Sequence, residues 1–355
     1  MGVLTGVRAN LRSARQLYLR MHERHGRAAP VYWHLLQAVS LRAYRKLAYA
    51  VNDLVLQRWI TPRRFVRFQD GIASQLGGHF YVIVMPHTLH FLLPCLALVA
   101  RDVRVVLLLN GAADWEAKLL RQRWPGMPQF RVATLPCSSV GHGAMINLLL
   151  RHNERDFGLL DHDLYLFDRK VLAQLRFSDE EFLLCLLSDA SGGWTYPLTH
   201  FLYFRIGVFA RLMKDYQTGA QIYRKLPPLA RGQLLSLGLH EGRPMKAYHD
   251  FFDTLHVLIA LAYAEGMRVN QVDADVYHLG GTSIGTQHTK DLMQLYIHLC
   301  FLELVAEPLL QQRYASFAAP FKTAAELRPR LQEDPELIPR LEILDRLLGR
   351  LRSAG

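Results

Sequence analysis

From Gly77 onward, short apolar runs typical of β-strands alternate with segments of helical periodicity. The runs occupy residues 81–85, 103–109, 130–135 and 159–167, and helical segments at 92–100, 115–124 and 147–152 separate them. This alternation predicts an α/β fold with a mainly parallel sheet flanked by helices. Ligands of such sheets bind at the carboxyl ends of the strands. Pro86, Asn110, Pro136 and Asp161 fall at those ends, so we expect a binding site there.

The fourth run carries two carboxylates one residue apart, Asp161 and Asp163. In extended backbone, side chains at this spacing point the same way, so both acids would emerge together at the edge of a central strand. Such a pair suits a hard divalent cation that keeps positions open for phosphate oxygens. A solvated strand end or a helix cap would also explain the pair taken alone.

The stretch from Tyr81 to Ala100 contains no Lys, Arg, Asp or Glu, and it is about long enough to span a membrane. It also contains Pro86, His87, His90 and Pro94, which are natural at a turn between a strand and a helix. We therefore expect a buried β-turn-α unit here and not a transmembrane helix.

The positive charge of the chain is concentrated near its start. The net charge is +11, and residues 1–70 alone hold thirteen basic and three acidic residues. The segment has an approximate apolar stripe, so we expect helices there, either packed on the main domain or resting on an anionic membrane surface. Nucleic acid is not the expected partner. Arginines 8, 12 and 15 argue against a secretory signal, and we expect a cytoplasmic protein, peripheral at the inner face of the membrane.

Four local motifs, taken in order, resemble glycosyltransferase family 2-like proteins with the GT-A fold. They are Asn110-Gly111-Ala112-Ala113-Asp114, Gly141–Asn147, Asp161-His162-Asp163 and the segment Val276–Ser283, which contains His278-Leu279-Gly280-Gly281. The resemblance implies a GT-A-like nucleotide-sugar-binding domain over residues 76–300. A basic helical segment, 1–75, would precede it and a helical extension, 301–355, would follow it.

The resemblance also implies a role for each matching residue. Asp161, Asp163 and His278 would hold Mn²⁺ or Mg²⁺. The nucleotide sugar would contact Pro86, Asn110, Gly111, Asp114, Gly143, Asn147, Asp161, Gly280 and Gly281. The carboxylate that takes the proton of the acceptor hydroxyl would be Asp253 or Asp250. We favour Asp253, because Asp253-Thr254 immediately precedes a helical segment that ends near Gly266.

Taken together, the residues and the resemblance predict a metal-dependent glycosyltransferase, with an inverting reaction favoured. A nucleotide sugar would be the donor, and a glycan, a lipid-linked sugar or another cell-envelope intermediate the acceptor. The alternative is a non-catalytic GT-A-like binding or scaffold protein. Leu109 stands where the family carries an acid, and the usual Glu-Asp pair at the base position is absent. A phosphotransferase is disfavoured because no P-loop motif is present. The sequence indicates no oligomeric state.

Overall fold

A computed structural model describes residues 47–48, 50–135, 138–168, 170–191, 193–246, 249–280, 282, 291–314, 317 and 321–354. The helices predicted within residues 1–46 lie outside these ranges, as do Pro136 and Gly281. The described part is an α/β structure with a mixed, mainly parallel sheet flanked by helices, which confirms the predicted fold class.

The central sheet has seven strands in the order β10-β6-β9-β4-β1-β2-β3. Strands β1, β2, β3 and β4 run parallel, β10 runs parallel to β6, and β9 is antiparallel to both of its neighbours. Two small sheets join β5 to β11 and β7 to β8. The strands are β1 Phe80–Val84, β2 Val105–Leu109, β3 Gln129–Arg131, β4 Phe157–Leu160, β5 Leu164–Leu166, β6 Glu181–Cys185, β7 Ser188–Ser191, β8 Trp194–Pro197, β9 Phe201–Phe204, β10 Arg268–Gln271 and β11 Val276–His278.

Helices cover both faces of this sheet. A π-helical segment, Asn52–Ile60, leads into the first of them, and a 3-10 turn, Ala73–Gln75, precedes β1. The α-helices are α1 Thr61–Gly71, α2 Leu89–Val99, α3 Asp114–Arg123, α4 His142–His152, α5 Lys170–Ala173, α6 Ile206–Asp215, α7 Arg231–Ser236, α8 His256–Ala264, α9 Leu292–Val305, α10 Pro308–Tyr314, α11 Ala324–Gln332 and α12 Ile338–Ala354.

The alternation of side chains along β1 separates two hydrophobic cores. Val82 and Val84 pack into one core with α2, α3, α9 and the C-terminal helices, whereas Tyr81 and Ile83 pack into the other with α1, α4, α6 and α8. Successive side chains of a strand point to opposite faces, so a strand covered on both faces reads as a continuous apolar run. This explains why residues 81–85 carry no polar positions.

The uncharged stretch 81–100 forms β1, a turn and α2, as predicted. Within the part of the chain that the structure describes, no helix combines the length and apolar character that a membrane crossing requires. Three of the cysteines, Cys95, Cys185 and Cys300, are buried and reduced.

The prediction of one extended strand over residues 159–167 was wrong. Strand β4 ends at Leu160, residues 161–163 form a turn, and β5 belongs to a separate sheet with β11. Asp161 and Asp163 are therefore not neighbours on one side of a strand. The helical segment that ends near Gly266 begins at His256, so Asp250 and Asp253 precede it in a loop.

Candidate functional site

Asp163 lies beside His278 because β11 returns antiparallel to β5, next to the turn at residues 161–163. Strand β5 pairs antiparallel with β11, and this register places His278 opposite Leu164, the residue after Asp163. The Leu279 N–H donates to the backbone oxygen of Asp163 at 3.1 Å. As a result, His278 Nε2 lies 3.3 Å from Asp163 Oδ1 and 4.0 Å from Asp161 Oδ2. Two motifs more than a hundred residues apart in sequence thus share one site.

His200 reaches the same site through a different strand. Because β9 runs antiparallel to β4, the residue that precedes β9 lies beside the residue that follows β4. The Asp161 N–H donates to the backbone oxygen of His200 at 2.8 Å, and His200 Nδ1 lies 3.3 Å from Asp161 Oδ2. The rings of His200 and His278 stack with their centroids 3.3 Å apart.

Asp161, His200 and His278 form a group that could hold a metal ion. One ligand atom from each lies within 4.8 Å of the others, and all three residues are partly accessible. A carboxylate oxygen with two imidazole nitrogens is a donor set for a first-row transition ion, whereas Mg²⁺ prefers oxygen ligands. The residues present therefore fit Mn²⁺ better than Mg²⁺.

Asp163 is the buried member of the acidic pair and is held by hydrogen bonds. Its Oδ2 accepts from the Thr282 hydroxyl at 2.8 Å and from the Gly280 N–H at 3.2 Å, and His162 Nε2 lies 2.9 Å from the same hydroxyl. Burial raises the pKa of the Asp163 carboxyl, but the hydrogen bonds from His278 and Thr282 and the nearby histidines outweigh it and lower the pKa well below its usual range. The charged carboxylate thereby fixes the turn that follows β11.

Asp253, the favoured base, lies in the loop before α8 and contacts Lys246. Its Oδ2 accepts from Lys246 Nζ at 2.7 Å, and its Oδ1 accepts from the Thr254 N–H at 2.8 Å. Burial raises the pKa of Asp253, but these hydrogen bonds outweigh it and lower the pKa. Asp250 is 79% exposed and pairs with Arg224 at 3.2 Å. Asp253 is thus the more enclosed of the two carboxylates.

Asn110, in the turn after β2, makes its hydrogen bonds within the protein. Asn110 is buried; its Nδ2 donates to the backbone oxygen of Val140 at 2.8 Å, and its Oδ1 accepts from the Val140 N–H at 2.7 Å. Gly111 has a φ of +83°, and a Cβ there would lie 2.4 Å from the Ser138 carbonyl oxygen and 3.3 Å from Pro86 Cγ. Asp114 is almost fully exposed and pairs with Arg131 at 2.9 Å.

Gly143 and Asn147 hold helix α4 against the loop at residues 219–221. A Cβ on Gly143 would come within 2.8 Å of the Ala220 carbonyl oxygen. The side chain of Asn147 accepts from the Ala220 N–H at 2.6 Å and donates to Gln221 Oε1 at 2.7 Å. The Ala220 carbonyl oxygen in turn accepts from the Leu255 N–H at 3.0 Å. These residues therefore support the loop that carries Asp253.

No role was predicted from the sequence for His200, Lys246, Thr282 or Glu116. Glu116 is fully buried in the first turn of α3; it accepts from the N–H groups of His87 and Ala113, and the Tyr314 hydroxyl also donates to it. For His200 the sequence offered one signal, a polar residue directly before the apolar run that forms β9. This signal indicates a site residue only once β9 is known to run antiparallel to β4.

Comparison with protein families gives one match. Residues 57–209 match the family model of the StrH glycosyltransferase N-terminal domain. This stretch contains Asp161, Asp163 and His200, and it ends before Asp253 and His278. The match confirms the resemblance to glycosyltransferases and supports glycosyl transfer as the general activity. No curated protein matches the chain.

Several solved structures are similar to the chain at low identity. The WbbM bifunctional glycosyltransferase is 11% identical with a TM-score of 0.28, over 40% of this chain and 34% of that one. The glycosyltransferase GlyE of Streptococcus pneumoniae TIGR4 is 13% identical with a TM-score of 0.29, over 39% of each chain. S. aureus TarS 1–349 in complex with UDP-GlcNAc is 14% identical with a TM-score of 0.31, over 67% of this chain and 71% of that one. The chain thus spans less than two fifths of the first two, and their activities are not transferred to it.

Proposed function

We propose that this chain is a metal-dependent glycosyltransferase that moves a sugar from a nucleotide-sugar donor to a glycan, lipid-linked or other cell-envelope acceptor. The observation that carries the proposal is the convergence of Asp161, His200 and His278 from three separate segments at the carboxyl end of β4. Asp163 stands beside this group as a buried, hydrogen-bonded carboxylate. Ligand atoms of suitable type held within reach of one another are what a metal-binding site requires.

A divalent cation at this group would neutralise the charge that builds up on the leaving nucleoside diphosphate. Asp161, His200 and His278 would ligate it, and their mixed oxygen and nitrogen donors lead us to propose Mn²⁺ before Mg²⁺. Asp163 would orient His278, because its Oδ1 lies 3.3 Å from His278 Nε2. Such partners of a ligating histidine fix its tautomer and ring orientation.

Asp253 would accept the proton of the acceptor hydroxyl, as an inverting reaction requires. Burial lowers the pKa of His142, and the charges of Asp161 and Asp253 both act in the opposite direction.

Nucleotide contacts of Gly111, Asp114, Gly280 and Pro86 remain proposals from the resemblance. Asp114 lies exposed in the first turn of α3, and Pro86 lies close to Gly111. Asn110, Gly143 and Asn147 have contacts within the protein. We propose that Asn110 acts on the donor only by shaping the turn after β2, and that Gly143 and Asn147 act only by holding α4 against the loop at residues 219–221.

Isothermal calorimetry with UDP, GDP and TDP, each with and without Mn²⁺, tests the proposal. We expect binding that depends on Mn²⁺ in the wild type and a loss of at least tenfold in affinity for His200→Ala. The matched control is His240→Ala, since His240 lies in the surface turn His240–Arg243, outside the metal group. If all three nucleotides bind equally well with and without Mn²⁺, the proposed metal dependence is refuted.

The rival function is a GT-A-like binding or scaffold protein without catalysis. Leu109, at the end of β2, is buried and cannot supply the acid that the family carries there. The two functions differ in turnover: a panel of nucleotide sugars incubated with Mn²⁺ should release nucleoside diphosphate at a rate that Asp253→Asn abolishes. Metal-dependent nucleotide binding without release of diphosphate from any donor would favour the scaffold.

We also propose that the start of the described chain rests on an anionic membrane surface, at the inner face of the cytoplasmic membrane. Leu54, Val55, Trp59, Ile60 and Val66 are large apolar residues that lie exposed on the helical segment 52–71. The same segment carries arginines 58, 63, 64 and 67. Exposed apolar and basic side chains on one helix are typical of attachment to anionic lipid.

Vesicle sedimentation tests this attachment. Deleting residues 1–70 would be a poor variant, because Phe65 is fully buried and packs against Tyr81 and Phe130. We instead expect the double variant Leu54→Ser, Trp59→Ser to lose co-sedimentation with phosphatidylglycerol vesicles while keeping its unfolding midpoint. If the double variant binds as the wild type does, this surface is not the attachment site.

A further inference from the structure

Lys246 contacts the proposed base directly. Its Nζ lies 2.7 Å from Asp253 Oδ2, and the lysine and aspartate side chains are 15% and 28% exposed. The ammonium also lies 5.3 Å from the centre of the Tyr196 ring, which favours a cation at that place. The ion pair is therefore enclosed on the lysine side and more open on the carboxylate side, where a substrate could reach it.

Among the described residues, each oxygen of Asp253 accepts one hydrogen bond. Oδ2 accepts from Lys246, and Oδ1 accepts from the Thr254 N–H at 2.8 Å. A carboxylate oxygen has two lone pairs, so each oxygen can accept from a second donor. The carboxylate is thus held from two directions and can still receive the proton of a hydroxyl group.

We propose that Lys246 is a positioning residue for Asp253 and that its ammonium holds the carboxylate in its working orientation through the 2.7 Å ion pair. This inference rests on the proposed role of Asp253 as the base. The lysine would not touch the reacting atoms and would act only through Asp253.

The other titratable groups around the pair support this division of roles. The ring of His256 is tilted against that of Tyr196, with the ring centroids 5.1 Å apart, and the pKa of His256 is lowered to about 4 by burial first and then by the charge of Lys246. His142 is likewise held neutral, chiefly by burial. His249 contributes a small effect on His256. Among the described groups that act on Asp253, the cation at neutral pH is therefore Lys246.

The pH dependence of turnover separates positioning from a purely structural role. Activity that needs an ionised Asp253 rises with pH through its pKa. Removing the lysine charge leaves burial to raise the pKa of Asp253. For Lys246→Met we therefore expect the midpoint of the acidic limb, the low-pH side of the profile of kcat/KM against pH, to move upward by about one pH unit or more. Lys246→Arg should keep the limb near that of the wild type, although with lower kcat. Lys214→Met, an exposed lysine on α6, is the control for loss of one charge.

The substrate-free measurement is a carbon-13 titration of aspartate side chains. The Asp253 carboxyl resonance is identified by its absence in Asp253→Asn, and its midpoint should move upward in Lys246→Met by the same amount as the kinetic limb. This readout needs neither a known donor nor a known acceptor. It also works if Lys246→Met is too slow to assay.

The outcomes separate this inference from the proposed function. If Asp253→Asn retains turnover, the base assignment is wrong and the role of Lys246 fails with it. If Asp253→Asn is inactive but Lys246→Met leaves both the kinetic limb and the carbon-13 midpoint in place, only the positioning role is overturned. Lys246→Met should in either case keep Mn²⁺-dependent binding of UDP or GDP if the wild type has it, because the metal group is made by other residues.

Discussion

Replacing Asn110 by alanine should weaken the fold and should not act mainly through nucleotide binding. Asn110 is 1% exposed, and its side chain satisfies both the N–H and the carbonyl oxygen of Val140, at 2.7 and 2.8 Å. Alanine leaves both backbone groups without these partners in the interior. Each unsatisfied buried group costs about 1–3 kcal/mol, so we expect a loss of about 3 kcal/mol in the free energy of unfolding.

Urea unfolding followed by circular dichroism measures this loss. The midpoint should fall with little change in the slope, because the surface exposed on unfolding stays similar. Asn270→Ala, at a half-exposed position of the edge strand β10, is the matched control and should change the unfolding free energy by less than about 0.5 kcal/mol. If Asn110→Ala unfolds as the wild type does but loses tenfold or more in nucleotide affinity, the structural reading is wrong and the sequence-based role is right.

Three further perturbations should lower the stability of the fold. Gly111→Ala should lower stability by more than about 1 kcal/mol, because φ is +83° and the new Cβ would meet a carbonyl oxygen. Glu116→Gln should lower the free energy of unfolding by about 3 kcal/mol. All three partners of Glu116 donate hydrogen bonds to it, and the NH2 group of a glutamine cannot accept them. Burial lowers the pKa values of His79, His256 and His298 to about 4. These histidines take up protons from about pH 6.5 downward only in the unfolded chain, so stability should fall between pH 6.5 and 4.

Urea midpoints check all three. Gly126→Ala, in the turn before β3, is the control for Gly111 because a Cβ there meets nothing within 4 Å. A wild-type midpoint for Glu116→Gln would mean that its three donors find other partners. For the pH effect, the midpoint is compared at pH 7.5 and pH 5. Equal values would show that the buried histidines are not the acid-sensitive groups.

The strand-and-helix alternation could be read from the sequence because burial on two faces leaves a local trace. The apolar runs at 81–85 and 103–109 became β1 and β2, and Asn110 and Asp161 do lie at the carboxyl edge of the sheet. The spacing of apolar residues along a segment indicates whether the segment is buried on one face or on two. This spacing can be read from the local sequence alone. The edge strand β10 and the hairpin of β7 and β8 have half-exposed positions and left no such trace.

The roles that the motifs imply remain predictions, and the contacts that their residues make were only partly foreseen. Asp163 and His278 do meet, as the resemblance implied. Asn147 was expected at the nucleotide and instead bonds to Ala220. A motif fixes the kind of residue at a position. Which of several polar groups it contacts depends on loops that are distant in the sequence.

By itself, the sequence determined the fold class and the position of Asn110 and Asp161 at the ends of buried strands, but not the turn at residues 161–163. Only the tertiary structure decided that His200 lies beside Asp161, because this depends on β9 running antiparallel to β4. It likewise decided that Lys246 pairs with Asp253. Local patterning encodes burial, whereas the direction of strand pairing and the closure of loops are set by the packing of the whole domain.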